Sequence, residues 1–326
     1  MIEKTDLTAL PDFLFGHAQD VDAGTGCTVV IAPEGACCGI DVRGGAPATR
    51  ETDLLRPENM IEKIHAVVLA GGSAFGLEAS CGVMDALAQR GIGFHLDAAC
   101  VPIVCGACLF DLTVGKDQHP DKAMGVAAVE AAFEGIALAE GNVGAGTGAS
   151  VGKLLGRSHA MKSGFGIAVL QAGGLVVGAL VALNALGNII EPNGKLVAGC
   201  RGADGAIVDG LDALVLAAEQ LGQAAVPANT TLGIVVTNAK LSKAQATKTA
   251  SLVHDAYART IKPVHTANDG DTVFTLASGQ VEALPDLVAA IAAEAMASAI
   301  YRAIETATSA YGLPGACQRN GMSSLF

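Results

Sequence analysis

The stretch from residue 166 to residue 190 carries no charged side chain, so it must be buried either in a membrane or in a protein core. It is interrupted by small and amide residues, namely Gln171, Gly173, Gly174, Gly178, Asn184 and Gly187. The asymmetry of basic residues that accompanies membrane helices is missing. A Gly-Gly pair between two apolar runs is typical of a hairpin. We therefore predict two buried strands, roughly 164–171 and 175–184.

The composition restricts how such strands can pack. Aromatic residues make up 4% of the 326-residue chain, which has no Trp, whereas 41 residues are glycine. The core must be built from Ala, Val, Leu and Ile at short distances, which suits layers of sheets and helices. With 51% hydrophobic and 16% charged residues, the chain is excluded from the intrinsically disordered class.

The charge balance disfavours two classes of partner. The 20 Lys and Arg residues against 32 Asp and Glu residues give a net charge of −12. A pI near 4.9 opposes binding to nucleic acid and to anionic membranes. The first residues, Met1 to Asp6, lack the basic and apolar pattern of a signal peptide, so we expect a cytoplasmic protein.

The nine cysteines, an odd number spread through apolar segments, fit reduced thiols in the cytoplasm. Three of them have the spacing that opens one type of iron–sulfur ligand set: Cys100, Cys105 and Cys108. The fourth ligand would have to be Cys200 or Cys317, and residues 101–104 have the pattern of a buried strand. We predict that the protein holds no metal and no cofactor.

Strand and helix patterns alternate along the chain. Further strands are predicted at 27–32, 39–42, 64–69, 231–237 and 272–277. Helices are predicted from Ser73 as N-cap, from Asp121, from Ser242 with a capping box to Gln245, and from Pro285. Residues 191–228 have a loop-like pattern with one short helix. Strand pairs alternating with helix pairs indicate one large α/β domain over residues 1–326.

Two glycine-rich loops suggest nucleotide binding, but neither matches its motif. In the loop 144–153 the glycine spacing is wrong for a Walker A loop, and Leu154 follows Lys153 where Ser or Thr is required. The loop 71–76 lies between a predicted strand and a predicted helix and could hold a small anion. A non-catalytic, small-anion-binding scaffold is therefore one alternative.

Asn229-Thr230 is the only Asn-Thr pair in the chain, and it lies between a loop and an apolar strand. Cleavage of this bond would give Thr230 a free amine, with an ordinary pKa of about 7.7–8.0, that could act as base for its own hydroxyl. Such a nucleophile needs donors for an oxyanion and carboxylates that orient the amine. A histidine-based triad has less support, because the seven histidines lie in unrelated sequence contexts.

Eight segments, taken together, resemble one family of N-terminal-nucleophile hydrolases. It contains the L-aminopeptidase/D-amidase-esterases, the β-peptidyl aminopeptidases and the nylon-oligomer (6-aminohexanoate-oligomer) endohydrolases. The segments occur in the expected order at residues 42–47, 50–55, 71–77, 101–104, 144–153, 177–184, 229–231 and 269–274. The resemblance implies a four-layer αββα sandwich of the N-terminal-nucleophile hydrolase type. It also implies a self-processed precursor and a tetramer of two-chain protomers.

The resemblance implies roles for individual residues as well. The chain would cut itself between Asn229 and Thr230 into 1–229 and 230–326, with Thr230 as the nucleophile. Asn184 would donate to the oxyanion, and Lys153 would donate to it or stabilise the nucleophile. The remaining site residues, Asp269 and Asp271, would bond the new amine and the Thr hydroxyl. A Thr with Asp-x-Asp is similar to the nylon-oligomer branch, whereas relatives have a tyrosine near the position of Phe110.

We therefore predict a self-processing amide hydrolase that acts by acyl transfer through Thr230 on a small amide or peptide. It would be an aminopeptidase or amidase, or a nylon-oligomer endohydrolase. An alternative of similar chemistry is an acyltransferase like the ornithine acetyltransferases, which share the fold type and a processed Thr. The sequence leaves open whether the acyl group comes from an α-, β- or ω-amino acid.

Overall fold

The computed structural model describes residues 1–97, 99–221 and 229–316. Its helices are α1 (Ala79–Gln89), α2 (Lys122–Phe133), α3 (Gly210–Leu221), α4 (Lys243–Thr260) and α5 (Pro285–Glu305). The strands are β1 (Glu3–Thr5), β2 (Leu14–Asp20), β3 (Thr25–Val42), β4 (Ala48–Arg50), β5 (Ile64–Ala70), β6 (Phe94–Leu96), β7 (Ala99–Val101), β8 (Val104–Cys108), β9 (Ser150–Val151), β10 (Met161–Lys162), β11 (Phe165–Ala172), β12 (Leu175–Asn184), β13 (Asn188–Ile190), β14 (Leu196–Ala198), β15 (Thr230–Ala239), β16 (Ile261–Lys262) and β17 (Thr272–Val281).

Strand β3 belongs to two sheets. It runs through both segments that were predicted as separate strands, 27–32 and 39–42, and its pairing with β5 shifts register between Ile31 and Ala36. Its first half pairs with β2 and β5, and its second half pairs with β17. The first sheet therefore has the order β1-β11-β12-β15-β17-β3, and the second has the order β3-β5-β8-β4 with β2 beside β3.

Three hydrophobic clusters separate four layers. The cluster between the two sheets includes Leu69, Leu180 and Phe274. A second cluster packs α4 and α5 on the outer face of the first sheet, and a third packs α1 and α2 on the outer face of the second sheet. The order of layers is helices, sheet, sheet, helices, so the predicted αββα sandwich is confirmed.

Glycines on the strands let the helices approach the sheets closely. A Cβ at Gly39 of β3 would lie 2.1 Å from the backbone nitrogen of Thr247 on α4. A Cβ at Gly166 of β11 would lie 2.1 Å from the carbonyl oxygen of Ala299 on α5. A larger residue at either position would push a helix away. The short distances between layers thus account for a composition rich in glycine and poor in aromatic residues.

The apolar stretch at 166–190 contains the two predicted strands, because β11 and β12 pair antiparallel on either side of Gly173-Gly174. Among the helices in the described part of the chain, α5 alone is long and apolar enough to cross a membrane. However, 67% of its most apolar 18-residue stretch is buried inside the protein, where α5 packs on β11 and β12.

The helix predicted from Ser73 begins later than expected. Ser73 opens a 3-10 turn (Ser73–Glu78) with a φ of 53°, and α1 starts at Ala79, so the predicted N-cap is wrong. Contacts distant in sequence hold this turn, since the N–H of Gly72 donates to the Asp111 carboxylate at 2.6 Å and the N–H of Ser73 donates to the carbonyl oxygen of Leu109 at 2.8 Å. The capping box of Ser242 and Gln245 is confirmed.

The strand predicted at 101–104 is also wrong, because the buried strand there is β8. Cys105 and Cys108 lie on opposite faces of β8, toward the core between the sheets and toward α1 and α2 respectively. Their C-x2-C spacing therefore does not converge, and Cys317 lies outside the described residues. The loop-like segment from residue 191 contains β14 as well as the expected helix, α3.

Candidate active site

Thr230 is the first residue of β15, and it lies directly opposite Asn184, the last residue of β12. Paired residues of antiparallel strands project from the same face of the sheet. Both residues are buried, with 3% and 1% of their surface exposed. The two strand ends thus bring the predicted nucleophile and the predicted oxyanion donor together.

The peptide bond before Thr230 is held by a loop that precedes β17. The Asn229 N–H donates to the carbonyl oxygen of Asn268 at 3.1 Å, and the Asn229 carbonyl oxygen accepts the N–H of Gly270 at 3.1 Å. The Thr230 hydroxyl also donates to this carbonyl oxygen. A Cβ at Gly270 would lie 2.6 Å from Thr230 Oγ1, so only glycine leaves room for the hydroxyl there.

The amide of Asn184 is oriented from both ends. Its Nδ2 donates to the carbonyl oxygen of Phe110 at 3.0 Å. Its Oδ1 accepts the backbone N–H of Ser150 at 3.1 Å and the Lys153 ammonium at 2.6 Å. These contacts fix which end of the amide is the nitrogen. Because an amide nitrogen carries two N–H donors, the second one is available for an oxyanion.

Lys153 is almost fully buried beside Asn184. Its Nζ donates to Asn184 Oδ1, to the Asn184 carbonyl oxygen at 3.1 Å and to the Ser150 carbonyl oxygen at 2.9 Å. Burial lowers the pKa of Lys153 to about 7, although the charges of Asp269, Asp111 and Asp271 act in the opposite direction. The ammonium is therefore positioned next to the predicted oxyanion donor.

The two predicted aspartates lie next to the residues on either side of the nucleophile. Asp271 Oδ1 accepts the N–H of Thr231 at 2.8 Å. Asp269 lies beside Asn229 in an isolated parallel bridge. Burial, and then the neighbouring Asp271 charge, raise the pKa of Asp269, whereas hydrogen bonds from Thr266 lower it.

Consecutive loop residues hold these carboxylates in the same manner. Thr266 donates its N–H and its hydroxyl to Asp269 Oδ2, at 3.0 and 2.6 Å. His265 donates its N–H and its Nδ1–H to Asp271 Oδ2, at 3.1 and 2.8 Å. The sequence gives no signal for His265 as a site residue, because nothing in its neighbouring residues indicates that its ring points at Asp271.

A second buried pair, also missed from the sequence, supports the glycine-rich loop. Lys162 donates to the carbonyl oxygens of Gly146 and Ala149, at 3.1 and 2.9 Å. Burial lowers its pKa to about 7, and burial raises the pKa of nearby Asp111 to about 6. One signal was present, because Lys162 is the only charged residue between residues 160 and 190.

The site therefore combines a threonine hydroxyl, an oriented amide, a buried lysine and two carboxylates around one peptide bond. Among the described residues, no three or more His, Cys, Asp and Glu side chains are grouped so that they could hold a metal ion. This set of groups suits nucleophilic attack on a carbonyl with stabilisation of the oxyanion.

Comparison with known sequences gives one family. The pattern of peptidase family S58 matches residues 6–317. An uncharacterized aminopeptidase of Mycobacterium tuberculosis is 39% identical, covering 92% of this chain and 93% of that protein. A 6-aminohexanoate-oligomer endohydrolase of Paenarthrobacter ureafaciens is 33% identical, covering 83% of this chain and 74% of that protein.

Solved structures share the fold. A beta-aminopeptidase of Burkholderia sp. superimposes with a TM-score of 0.68 at 21% identity, covering 97% of this chain and 92% of that one. The L-aminopeptidase D-Ala-esterase/amidase of Ochrobactrum anthropi, described as a variant of the Ntn (N-terminal-nucleophile) hydrolase fold, superimposes with a TM-score of 0.67 at 16% identity. That match covers 91% of this chain and 84% of the other.

Proposed function

The chain belongs to peptidase family S58 and is an amide hydrolase with the N-terminal-nucleophile hydrolase fold, and from this premise we propose that it cuts itself before Thr230 and hydrolyses amides with the new N-terminus. The observation that carries the proposal is the pairing of Thr230 with Asn184 across β15 and β12. Neither the acyltransferase nor the anion-binding scaffold is favoured by the comparisons.

Self-cleavage begins with attack of Thr230 Oγ1 on the Asn229 carbonyl carbon. A C–O bond forms, the C–N bond breaks and the hydroxyl proton passes to the departing nitrogen, which gives an ester and frees the amine of Thr230. Water then hydrolyses the ester and leaves a carboxylate on Asn229. The N–H of Gly270, already hydrogen-bonded to the Asn229 carbonyl oxygen, supports this step by stabilising the negative charge that develops there.

Turnover uses the same hydroxyl on a substrate amide. The free amine of Thr230 takes the hydroxyl proton during attack and gives it to the leaving amine, and water then hydrolyses the acyl-enzyme. The free N–H of Asn184 and the charge of Lys153 stabilise the oxyanion. Asp269 and Asp271 orient the new amine from the two sides.

The substrates are small peptides or amides with an amino-acyl group. This proposal is supported by relatives that are named as aminopeptidases and as 6-aminohexanoate-oligomer endohydrolases. We place the chain on the nylon-oligomer side, because it combines Thr230 with Asp269 and Asp271. A panel of L- and D-aminoacyl amides, β-peptides and 6-aminohexanoate oligomers tests this choice. Hydrolysis of the other substrates without hydrolysis of 6-aminohexanoate oligomers would contradict it. Transfer to an added amine in preference to hydrolysis would favour the acyltransferase alternative.

The cleavage itself is tested by intact-mass analysis. In proportion to 229 and 97 residues, the 32.6 kDa chain should give pieces of about 23 and 10 kDa, the smaller beginning Thr-Thr-Leu-Gly. Thr230→Ala should remain one inactive chain, and Thr230→Ser should cut itself and keep partial activity. The matched control is Thr231→Val, which removes a neighbouring hydroxyl without a hydrogen-bond partner among the described residues. It should be cut like the wild type.

We further propose a tetramer of two-chain protomers in the cytoplasm. Exposed apolar side chains on α3, namely Leu211, Leu214, Val215 and Leu216, are consistent with a subunit contact. The eight cysteines in the described part of the chain are free, which is consistent with a reducing compartment. Light scattering of the cut protein and cell fractionation test these two points.

A further inference from the structure

His265 occupies an unusual backbone conformation next to the site. Its φ is 56°, in the left-handed region that few residues other than glycine adopt. Residues held in this region concentrate at functional sites, where the surrounding structure imposes the conformation. Here the conformation turns both the backbone N–H and Nδ1 of His265 toward one oxygen of Asp271, at 3.1 and 2.8 Å.

Among the described residues, the side chain of His265 has one polar contact, which is with Asp271. Because the carboxylate accepts from Nδ1, the proton is on Nδ1. The other nitrogen, Nε2, is buried and has no hydrogen-bond partner among the described residues. The ring packs edge-on against His254 with centroids 4.8 Å apart, and lies 6.1 Å from the ring of Tyr257. These rings fix the orientation of the imidazole.

Asp271 transmits this orientation to the nucleophile strand. Its second oxygen accepts the N–H of Thr231, the residue after Thr230, at 2.8 Å. The carboxylate is 1% exposed, so the rest of its surface is closed to water. The chain of contacts His265–Asp271–Thr231 thus ties the first residues of β15 to the loop before β17.

We propose that His265 is a positioning residue of the hydrolase: by fixing Asp271, it sets where Thr230 presents its hydroxyl and its new amine. The inference rests on the proposed function, in which Asp271 orients the amine. It assigns to His265 a single donor at the Nδ1 position and no direct contact with substrate. Asparagine can supply a donor at that position and tolerates the left-handed conformation.

Two amide variants test where the donor must be. His265→Asn carries an N–H close to the position of Nδ1, whereas the longer His265→Gln carries it near the position of Nε2. We expect the Asn variant to keep kcat within about threefold of wild type. The Gln variant should lose about 10- to 100-fold in kcat with little change in KM, as when an orienting hydrogen-bond partner is removed.

His265→Gly removes the side chain without straining the backbone, and it should behave like the Gln variant. The matched control is Glu51→Gly, which replaces another residue of positive φ (57°) at an exposed position after β4. It should keep the wild-type kcat. Purified, cut proteins are compared on the best amide of the panel, with thermal melting to verify the fold.

The outcomes separate the two proposals. A wild-type chain that neither cuts itself nor hydrolyses any amide overturns the proposed function. An active wild type with equal kcat for the Asn and Gly variants overturns the role of His265 alone. A nearly wild-type kcat in the Asn variant beside a low kcat in the Gln and Gly variants supports it. Glycine adopts the left-handed conformation without strain, so backbone strain does not explain the loss in the Gly variant.

Discussion

Lys153 and Lys162 are two buried lysines whose amines both donate to backbone carbonyl oxygens. Burial lowers the pKa of each to about 7, because a charged amine loses its hydration in the interior. The carbonyl oxygens that surround them come largely from the glycine-rich loop. The lysines therefore hold that loop against Asn184, and the loop's glycines allow close packing.

Lys162 should make stability depend on pH. The unfolded chain keeps its proton up to about pH 10.5, whereas the folded chain releases it near pH 7. Between these values the unfolded state binds more protons, so stability rises with pH, by at most about 1.4 kcal/mol per pH unit for one group. Between pH 7.5 and 9.5, we therefore expect the free energy of unfolding to rise less steeply with pH in Lys162→Met than in its parent protein.

Denaturant unfolding measures this slope most simply in the Thr230→Ala background, where one chain is expected to unfold. Lys240→Met is a suitable control, because that lysine is exposed and its amine bonds Glu282 on the surface. Parallel pH curves for Lys162→Met and its parent protein would contradict the assignment.

Asn184→Ala should lower kcat by about 10²- to 10³-fold and leave KM nearly unchanged, because an oxyanion donor acts mainly in the transition state. Asn188→Ala is the matched control. Asn188 is also buried, and its amide bonds the backbone of Val208 and Cys200 away from Thr230. Steady-state kinetics of both variants decide the point, and equal losses would mean that Asn184 is only structural.

What the sequence can predict at this scale depends on distance along the chain. Motifs that resemble those of a related family single out the candidates Thr230, Asn184, Lys153, Asp269 and Asp271. They do not single out His265 or Asp111, because the contacts of these two residues arise from partners brought near by folding, such as Gly72 for Asp111. The residues next to a buried polar residue in the sequence do not predict which group it will bond in the folded chain.

The elements with strong local signals were predicted well. The hairpin of β11 and β12, the capping box of α4 and the proline start of α5 all depend on neighbouring residues. Short strands such as β4, β6 and β7 escaped prediction because only their partners define them. The continuity of β3 also escaped, since its change of sheet depends on what packs on each half.

Gly39→Ala tests how tightly β3 and α4 are packed against each other. The new Cβ would fall within the backbone of α4, so we expect a loss of about 1–3 kcal/mol in the free energy of unfolding. Gly174→Ala is the control, because nothing lies within 4 Å of a Cβ there. Its effect should be within about 0.5 kcal/mol. Equal unfolding midpoints would show that α4 shifts easily.

At the scale of the whole molecule, the strand order determines what a cut after Asn229 does. β15 and β17 belong to the segment after the cut, and they pair with each other and lie between β12 and β3. The smaller piece would thus supply the middle of the first sheet. It would also contribute α4 and α5, the helices that cover that sheet.

We therefore expect the two pieces to remain associated after the cut. Native mass spectrometry and size exclusion in dilute buffer should find both in one complex, and separation should require denaturant. The Thr230→Ala chain, treated identically, provides the uncut reference. Release of the 97-residue piece under native conditions would contradict this view of the sheet.

The central position of β15 and β17 also determines whether a cut protein can recover from unfolding. A continuous chain closes this sheet in a unimolecular reaction, whereas separated pieces must first meet, so recovery from unfolding becomes slower on dilution. A cut protein would then last only while it stays folded. Its lifetime would depend on its rate of unfolding, and new synthesis would have to replace each molecule that unfolds.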